Sequence, residues 1–160
     1  MNRFISSSLT FILIFLASCT SAPIQITLLS TQGFSLGSAR LADSSEGTSI
    51  ELVAHSLTPG AHGLHVHETG RCEAPDFATA GAHYNPEGRE HGFNNPLGHH
   101  IGDLPNIEVG PDGTAQARIL VPAKLSELRG RSLIIHAAAD DYATDPSGNS
   151  GARIACAVIR

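Results

Sequence analysis

The sequence predicts an all-β domain: eight antiparallel strands in a sandwich or flattened barrel, with one long loop between the fourth and fifth strands. Three observations lead there. Apolar and β-branched residues fall into short runs broken by turn signals about every ten residues, as antiparallel strands require. Gly (16) and Pro (9) are frequent in a chain of 160 residues, which suits short strands joined by turns better than a helical bundle. Between Cys72 and Leu104 the periodicity disappears and Gly, Pro, Asn and His dominate. A loop of that length in a compact domain calls for a functional explanation.

Taken in order, residues 24–30 alternate in part and read as the first strand. Residues 35–43 and 47–55 form the next two, around the turn Ser44-Ser45-Glu46-Gly47. Thr58-Pro59-Gly60 is another turn, and 61–68 the fourth strand. After the long loop come 104–109, the turn Pro111-Asp112-Gly113, and 114–121. Residues 125–129 read as a short helical turn, while 132–137 and 153–159 are apolar, β-branched runs that complete the set.

The length favours one domain, spanning 24–160, and the 41 % hydrophobic content is enough for one core. A net charge of −5 argues against nucleic acid as partner, since phosphate neutralisation needs a basic face. Ahead of the domain, Arg3 provides a positive start and residues 9–16 an apolar run too short to cross a bilayer. This is the pattern of a secretory signal. Leu16-Ala17-Ser18-Cys19 resembles the lipobox of bacterial lipoproteins; the alternative is an ordinary signal peptide with a cysteine nearby. On the lipobox reading, residues 1–18 are removed and Cys19 carries lipid. Residues 19–23 are then a short tether, and the protein is exported to the cell envelope, anchored at the periplasmic side of a membrane or at the cell surface. With Cys19 consumed, Cys72 and Cys156 remain as a pair that an oxidising compartment allows to join.

Eight of the nine histidines lie between His55 and His100. In His65-Val66-His67 strand alternation turns both imidazoles to one face and Val66 to the other, into the core. Within the loop stand His83, His91, His100 and Asp103, at spacings of eight, nine and three. Three imidazoles and a carboxylate are a tetrahedral zinc set. Copper(II) takes nitrogen ligands in a flattened array.

Four segments then become recognisable: Gly63-Leu64-His65-Val66-His67-Glu68, Ala80-Gly81-Ala82-His83-Tyr84-Asn85-Pro86, His100-Ile101-Gly102-Asp103-Leu104, and Gly148-Asn149-Ser150-Gly151-Ala152-Arg153-Ile154-Ala155-Cys156. Together they resemble the signatures of the copper–zinc superoxide dismutase family, in the same order, from about Ile24 to the end. The resemblance implies an eight-stranded antiparallel Greek-key sandwich or flattened barrel with a long metal-binding loop. It implies copper on His65, His67, His83 and His136, and zinc on His83, His91, His100 and Asp103, so that His83 bridges the two ions as an imidazolate. Asp140 matches the carboxylate that orients His65 and His91 from behind. Arg153 matches the arginine beside the open copper position, and Cys72–Cys156 the family's disulfide. His62 matches a position that hydrogen-bonds backbone near the copper strand; His55 and His99 have no matching metal role.

The implied activity is disproportionation of the superoxide anion by Cu(II)/Cu(I) cycling, with His83 and Arg153 as catalytic residues. Residues 137–152 depart from eukaryotic members: they hold Asp140, Asp141 and Asp145 but no Lys to guide the substrate. Guidance therefore falls to Arg153, with Arg71, Arg89 and Arg131 as candidates elsewhere. A monomer or a homodimer is expected. The competing reading is a dismutase-like barrel that binds copper or zinc without turnover.

Overall fold

A computed structural model describes residues 22–160. The eight strands are β1 (Ile24–Ser30), β2 (Ser35–Asp43), β3 (Thr48–Ala54), β4 (Gly60–His67), β5 (Asp103–Val109), β6 (Ala115–Val121), β7 (Ser132–His136) and β8 (Arg153–Val158). A single helical turn, α1 (Leu125–Leu128), precedes β7. A 3-10 turn, Ala78–Ala80, lies in the long loop where no regular element was expected. All neighbours are antiparallel, in the order β5-β4-β7-β8-β1-β2-β3-β6. The two ends of that order, β5 and β6, pack against each other and nearly close a barrel.

The first strands alternate as the pleat demands. In β1, Ile26 and Leu28 are buried while Gln25 and Thr27 face out. β4 and β7 behave differently: from His62 to His67 and from Ser132 to His136 every residue is buried. Their inner faces (Leu64, Val66, Leu133, Ile135) belong to the main core, and the long loop covers their outer faces. That loop is sewn to β4 by backbone bonds: Tyr84 N–H donates to the Val66 carbonyl (2.8 Å), and Val66 N–H to Gly102 (2.9 Å). Gly102 is required at this seam, because a Cβ there would come within 2.3 Å of the Val66 oxygen. The outer faces of β4 and β7 are thereby withdrawn from water, and polar side chains on them need partners.

Cys72 and Cys156 are disulfide-bonded, tying the start of the loop to β8. Beside them Phe77, Ala80 and Ile134 form a small second cluster of buried apolar groups. Among the described residues, no helix is long and apolar enough to cross a membrane. The proposed signal peptide and Cys19 lie outside the described residues.

Candidate metal centre

β4 presents His65 and His67 on the same outward face, with ring centroids 6.3 Å apart and Val66 turned inward. β7 ends at His136, across from them, and the loop delivers His83 through a bridge pairing with His67. All four rings are buried. Their outer nitrogens have definite partners. His67 Nδ1–H donates to the Gly81 carbonyl (2.9 Å), and His136 Nδ1–H to the Gly151 carbonyl (3.1 Å). His65 Nε2 meets Asp140 Oδ2 at 2.7 Å. Each bond places the ring proton on that nitrogen and leaves the other a bare lone pair. Those others, His65 Nδ1, His67 Nε2 and His136 Nε2, have no hydrogen-bond partner, nor has His83 Nε2. They converge: one ligand atom from each of these four residues lies within 4.8 Å of the rest. Buried polar atoms are seldom left orphaned. Four in one spot are a nitrogen cage of the kind copper takes.

His83 also faces the other way. Its Nδ1 is 2.9 Å from Asp103 Oδ1, and His91 Nδ1 (3.0 Å) and His100 Nδ1 (3.1 Å) lie against the same oxygen. His65 is also near His83, His91 and Asp103, within the same 4.8 Å limit. The free nitrogen of His65 is the Nδ1 already counted in the first cluster, and His100, with its Nδ1 3.1 Å from Asp103 Oδ1 and 3.4 Å from His83 Nδ1, adds a further imidazole to this set. Three imidazole nitrogens gathered on one carboxylate oxygen match the donor set and tetrahedral preference of zinc. His83 is thus the ring common to both clusters, with one nitrogen turned to each.

The electrostatics follow from burial and these contacts. Burial, helped by the neighbouring rings, pushes His67 down to about 2 and His136 to about 3. Burial outweighs the Asp103 hydrogen bond at His83, which falls to about 4. These ligands stand neutral at pH 7, ready for metal. His91 is the exception: burial opposes its charge, but Asp103 and Asp140 flank it and raise it to about 9. Asp103, despite burial, is held well below the usual carboxylate range by hydrogen bonds from His100, His83 and His91.

Asp140 ties the two clusters from behind. Oδ2 takes His65 Nε2 and Oδ1 takes His91 Nε2 (2.9 Å) and the Tyr142 amide (2.7 Å). Two residues that sequence reasoning missed hold it there. Asn106 in β5 bonds to the Asp140 backbone on both sides, at 2.9 and 3.0 Å. An Asn within a strand, where that residue type is depleted, was the available signal. Gly148, at φ +63, leaves the space: a Cβ would lie 1.8 Å from Asp140 Oδ1.

Arg153 opens β8 and lines a cavity of about 450 Å³ together with His67, His83, His136 and Ser147. Its Nη1 donates to the Phe77 carbonyl and its Nη2 to that of Gly81, both at 2.7 Å. Arg71, Arg89 and Arg131 do not share in this cavity. Arg71 pairs with Glu73, Arg89 with Glu87, and Arg131 donates to the Glu68 carbonyl while lying over Tyr84. Among the described residues Arg153 is the cation at the cavity. The remaining histidines are apart from the metal clusters. His62 is buried and bonds the carbonyls of His136 (2.7 Å) and Thr58 (2.8 Å). His55 is exposed, and His99 packs on Phe93.

A family model for copper/zinc superoxide dismutase (SODC) matches residues 35–159. The superoxide dismutase-like protein YojM of Bacillus subtilis is 47 % identical over 145 residues, covering 84 % of this chain and 74 % of that protein. A protein of Aquifex aeolicus named superoxide dismutase [Cu-Zn] 2 is 41 % identical over 143 residues, 83 % of this chain and 84 % of its own. Among solved structures, the Cu/Zn superoxide dismutase from Brucella abortus superposes with a TM-score of 0.76 at 30 % identity, covering 87 % of this chain and all of that one.

Proposed function

The chain belongs to the copper/zinc superoxide dismutase family, and from that membership and its site we propose that it converts two superoxide anions and two protons to dioxygen and hydrogen peroxide. One observation carries the reading: four buried imidazole nitrogens without partners converge, three of their rings line the Arg153 cavity, and one of these, His83, also meets Asp103 together with His91 and His100. When bound, copper supplies one-electron chemistry between Cu(II) and Cu(I), and zinc a fixed positive charge at the far side of the shared ring. His65, His67, His83 and His136 hold the first ion, and His83, His91, His100 and Asp103 the second.

Arg153 attracts the monoanion and hydrogen-bonds it in the cavity, an electrostatic task for a group already fixed by two carbonyls. His83 Nε2, the nitrogen turned to the first cluster, is the atom that takes up and gives back a proton. Asp140 keeps His65 and His91 in the tautomers that ligation needs. A barrel that merely buffers metal would need neither the cavity nor a pre-set arginine at its wall. Metal analysis and a superoxide-decay assay on the purified domain, copper-loaded and zinc-loaded, test the reading. Decay no faster than with metal-free protein refutes it.

We further propose export and lipidation at Cys19, on the strength of the Leu16-Ala17-Ser18-Cys19 motif behind the apolar run. The tether before Pro23 is three residues, a reach of roughly 11 Å, so the barrel would lie close to the membrane. Detergent phase partitioning of the native chain against a Cys19→Ala variant decides this; equal partitioning into the aqueous phase refutes it.

A further inference from the structure

Arg153 hydrogen-bonds the disulfide loop at two backbone carbonyls, and that backbone has to be held in turn. Its two acceptors, the carbonyls of Phe77 and Gly81, bracket the 3-10 turn Ala78–Ala80. Gly81 is fixed independently, since the same carbonyl accepts His67 Nδ1–H and its amide bonds Ala78. Phe77 is in a conformation an aromatic residue rarely adopts, φ 57 and ψ 23, the left-handed region. Such a backbone persists only where its surroundings over-determine it. Here they do: the ring is 2 % exposed and packs in the cluster with Ala80, Ile134, Cys156 and Cys72. The amide donates to Glu73 (3.0 Å), and the carbonyl accepts from Ala80 N–H (3.0 Å) as well as from Arg153. Both lone pairs of that oxygen are used, so its direction is defined.

We propose that Phe77 is a positioning residue for the anion site: burial of its ring sets the left-handed turn that aims its carbonyl at Arg153 and holds the guanidinium at the cavity wall. This rests on the dismutase reading for its meaning, and its test separates the two. The ring packs with Ala80, Ile134, Cys156 and Cys72, none of them a ligand of either cluster, so its loss is expected to act on Arg153 and to leave metal binding intact.

The experiment uses the metal-loaded domain and the variants Phe77→Ala, Phe77→Leu, Arg153→Ala and Phe77→Ala/Arg153→Ala. Three quantities are read: azide affinity as a probe of anion binding, the rate of Arg153 modification by phenylglyoxal located by peptide mass mapping, and the salt dependence of superoxide decay. Phe77→Ala is expected to weaken azide severalfold, to speed modification of Arg153 severalfold, and to flatten the salt dependence, at unchanged metal content. Phe77→Leu, which still fills part of the cluster, is expected to keep at least half of the wild-type azide affinity. In the Arg153→Ala background the Phe77 change is expected to add nothing to azide affinity, because coupled residues are non-additive. A purely structural role would lower thermal stability and leave azide affinity and modification rate within twofold of wild type; that result overturns the proposal. Should Phe77→Ala not fold, Phe77→Leu is compared in both backgrounds, and equal effects with and without Arg153 overturn it. A wild-type protein inert toward superoxide would refute the dismutase reading alone, since azide and phenylglyoxal still report on Arg153.

Discussion

Asp140 is the point at which one substitution should loosen both metals. Its two oxygens receive His65 Nε2 at 2.7 Å and His91 Nε2 at 2.9 Å, and among the described residues neither nitrogen has another hydrogen-bond partner. Each is a charge-assisted bond worth about 1.5–3 kcal/mol. Replacement by Ala leaves both ring N–H groups unpaired and frees both tautomers, so that part of this energy appears as lost ligation. Loss of such an outer partner costs about 10–100-fold in metal affinity. Asp140→Ala is therefore expected to weaken copper and zinc alike by that factor, about 1.4–2.7 kcal/mol per ion. Competition against chelators of graded affinity, run separately for each metal, measures it, with a melting curve to verify that the apo variant folds. If both affinities stay within twofold of wild type, the orienting role is wrong. If zinc alone is weakened, the bond to His65 does not act on the copper cluster, and the two sets are not coupled through this carboxylate.

Gly148→Ala is expected to weaken zinc and lower the melting temperature by displacing Asp140, at a cost of about 1–3 kcal/mol. Gly130→Ala is its control, with a similar positive φ (+81 against +63) but nothing within 4 Å of the new Cβ. Equal losses in the two would mean that backbone strain, not collision with Asp140, is responsible. Arg153→Ala is expected to lower the rate of superoxide decay at low salt and to flatten its ionic-strength dependence, because Arg153 is the cation lining the cavity among the described residues; an unchanged slope would contradict that. The metal-free protein should lose stability on acidification. His83, His136 and His67 bind a proton near 6.5 when unfolded but only at about 4, 3 and 2 when folded, so the unfolded state is favoured as pH falls below 6.5. His91 acts in the opposite direction, its contribution being lost as pH rises through about 9. Calorimetry of chelator-treated protein between pH 7 and 4 should show a falling melting temperature; a flat profile would refute the neutral-ligand reading.

Much of the fold was legible because strand period and turn chemistry are local. The limits of β1 (Ile24–Ser30) and β2 (Ser35–Asp43) are legible because a turn separates them and β1 alternates in burial from Gln25 to Leu29. β3 ends at Ala54 rather than at His55, and β5 begins one residue earlier than read, at Asp103, which pairs with His65 across the ladder. The 3-10 turn Ala78–Ala80 was not legible: it lacks a side-chain cap, and Phe77 enters it with a backbone that only its packing in the second cluster stabilises.

The sequence alone determined which residue types were available and in what order: an imidazole pair on one strand face, four more ligands at loop spacings, and a carboxylate four residues past His136. Alternation along β4 decided that His65 and His67 share a face. What only the tertiary structure decided is which nitrogen of each ring faces inward, which carbonyl or carboxylate holds the other, and that Arg153 rests on Phe77 and Gly81. A ring's tautomer and an arginine's aim are set by partners distant in the chain, such as His136 with Gly151 and Arg153 with Phe77, 76 positions earlier. A periodic pattern reports which way a side chain leaves its own backbone; it carries no record of the hydrogen-bond partner that the folded chain brings to the other end.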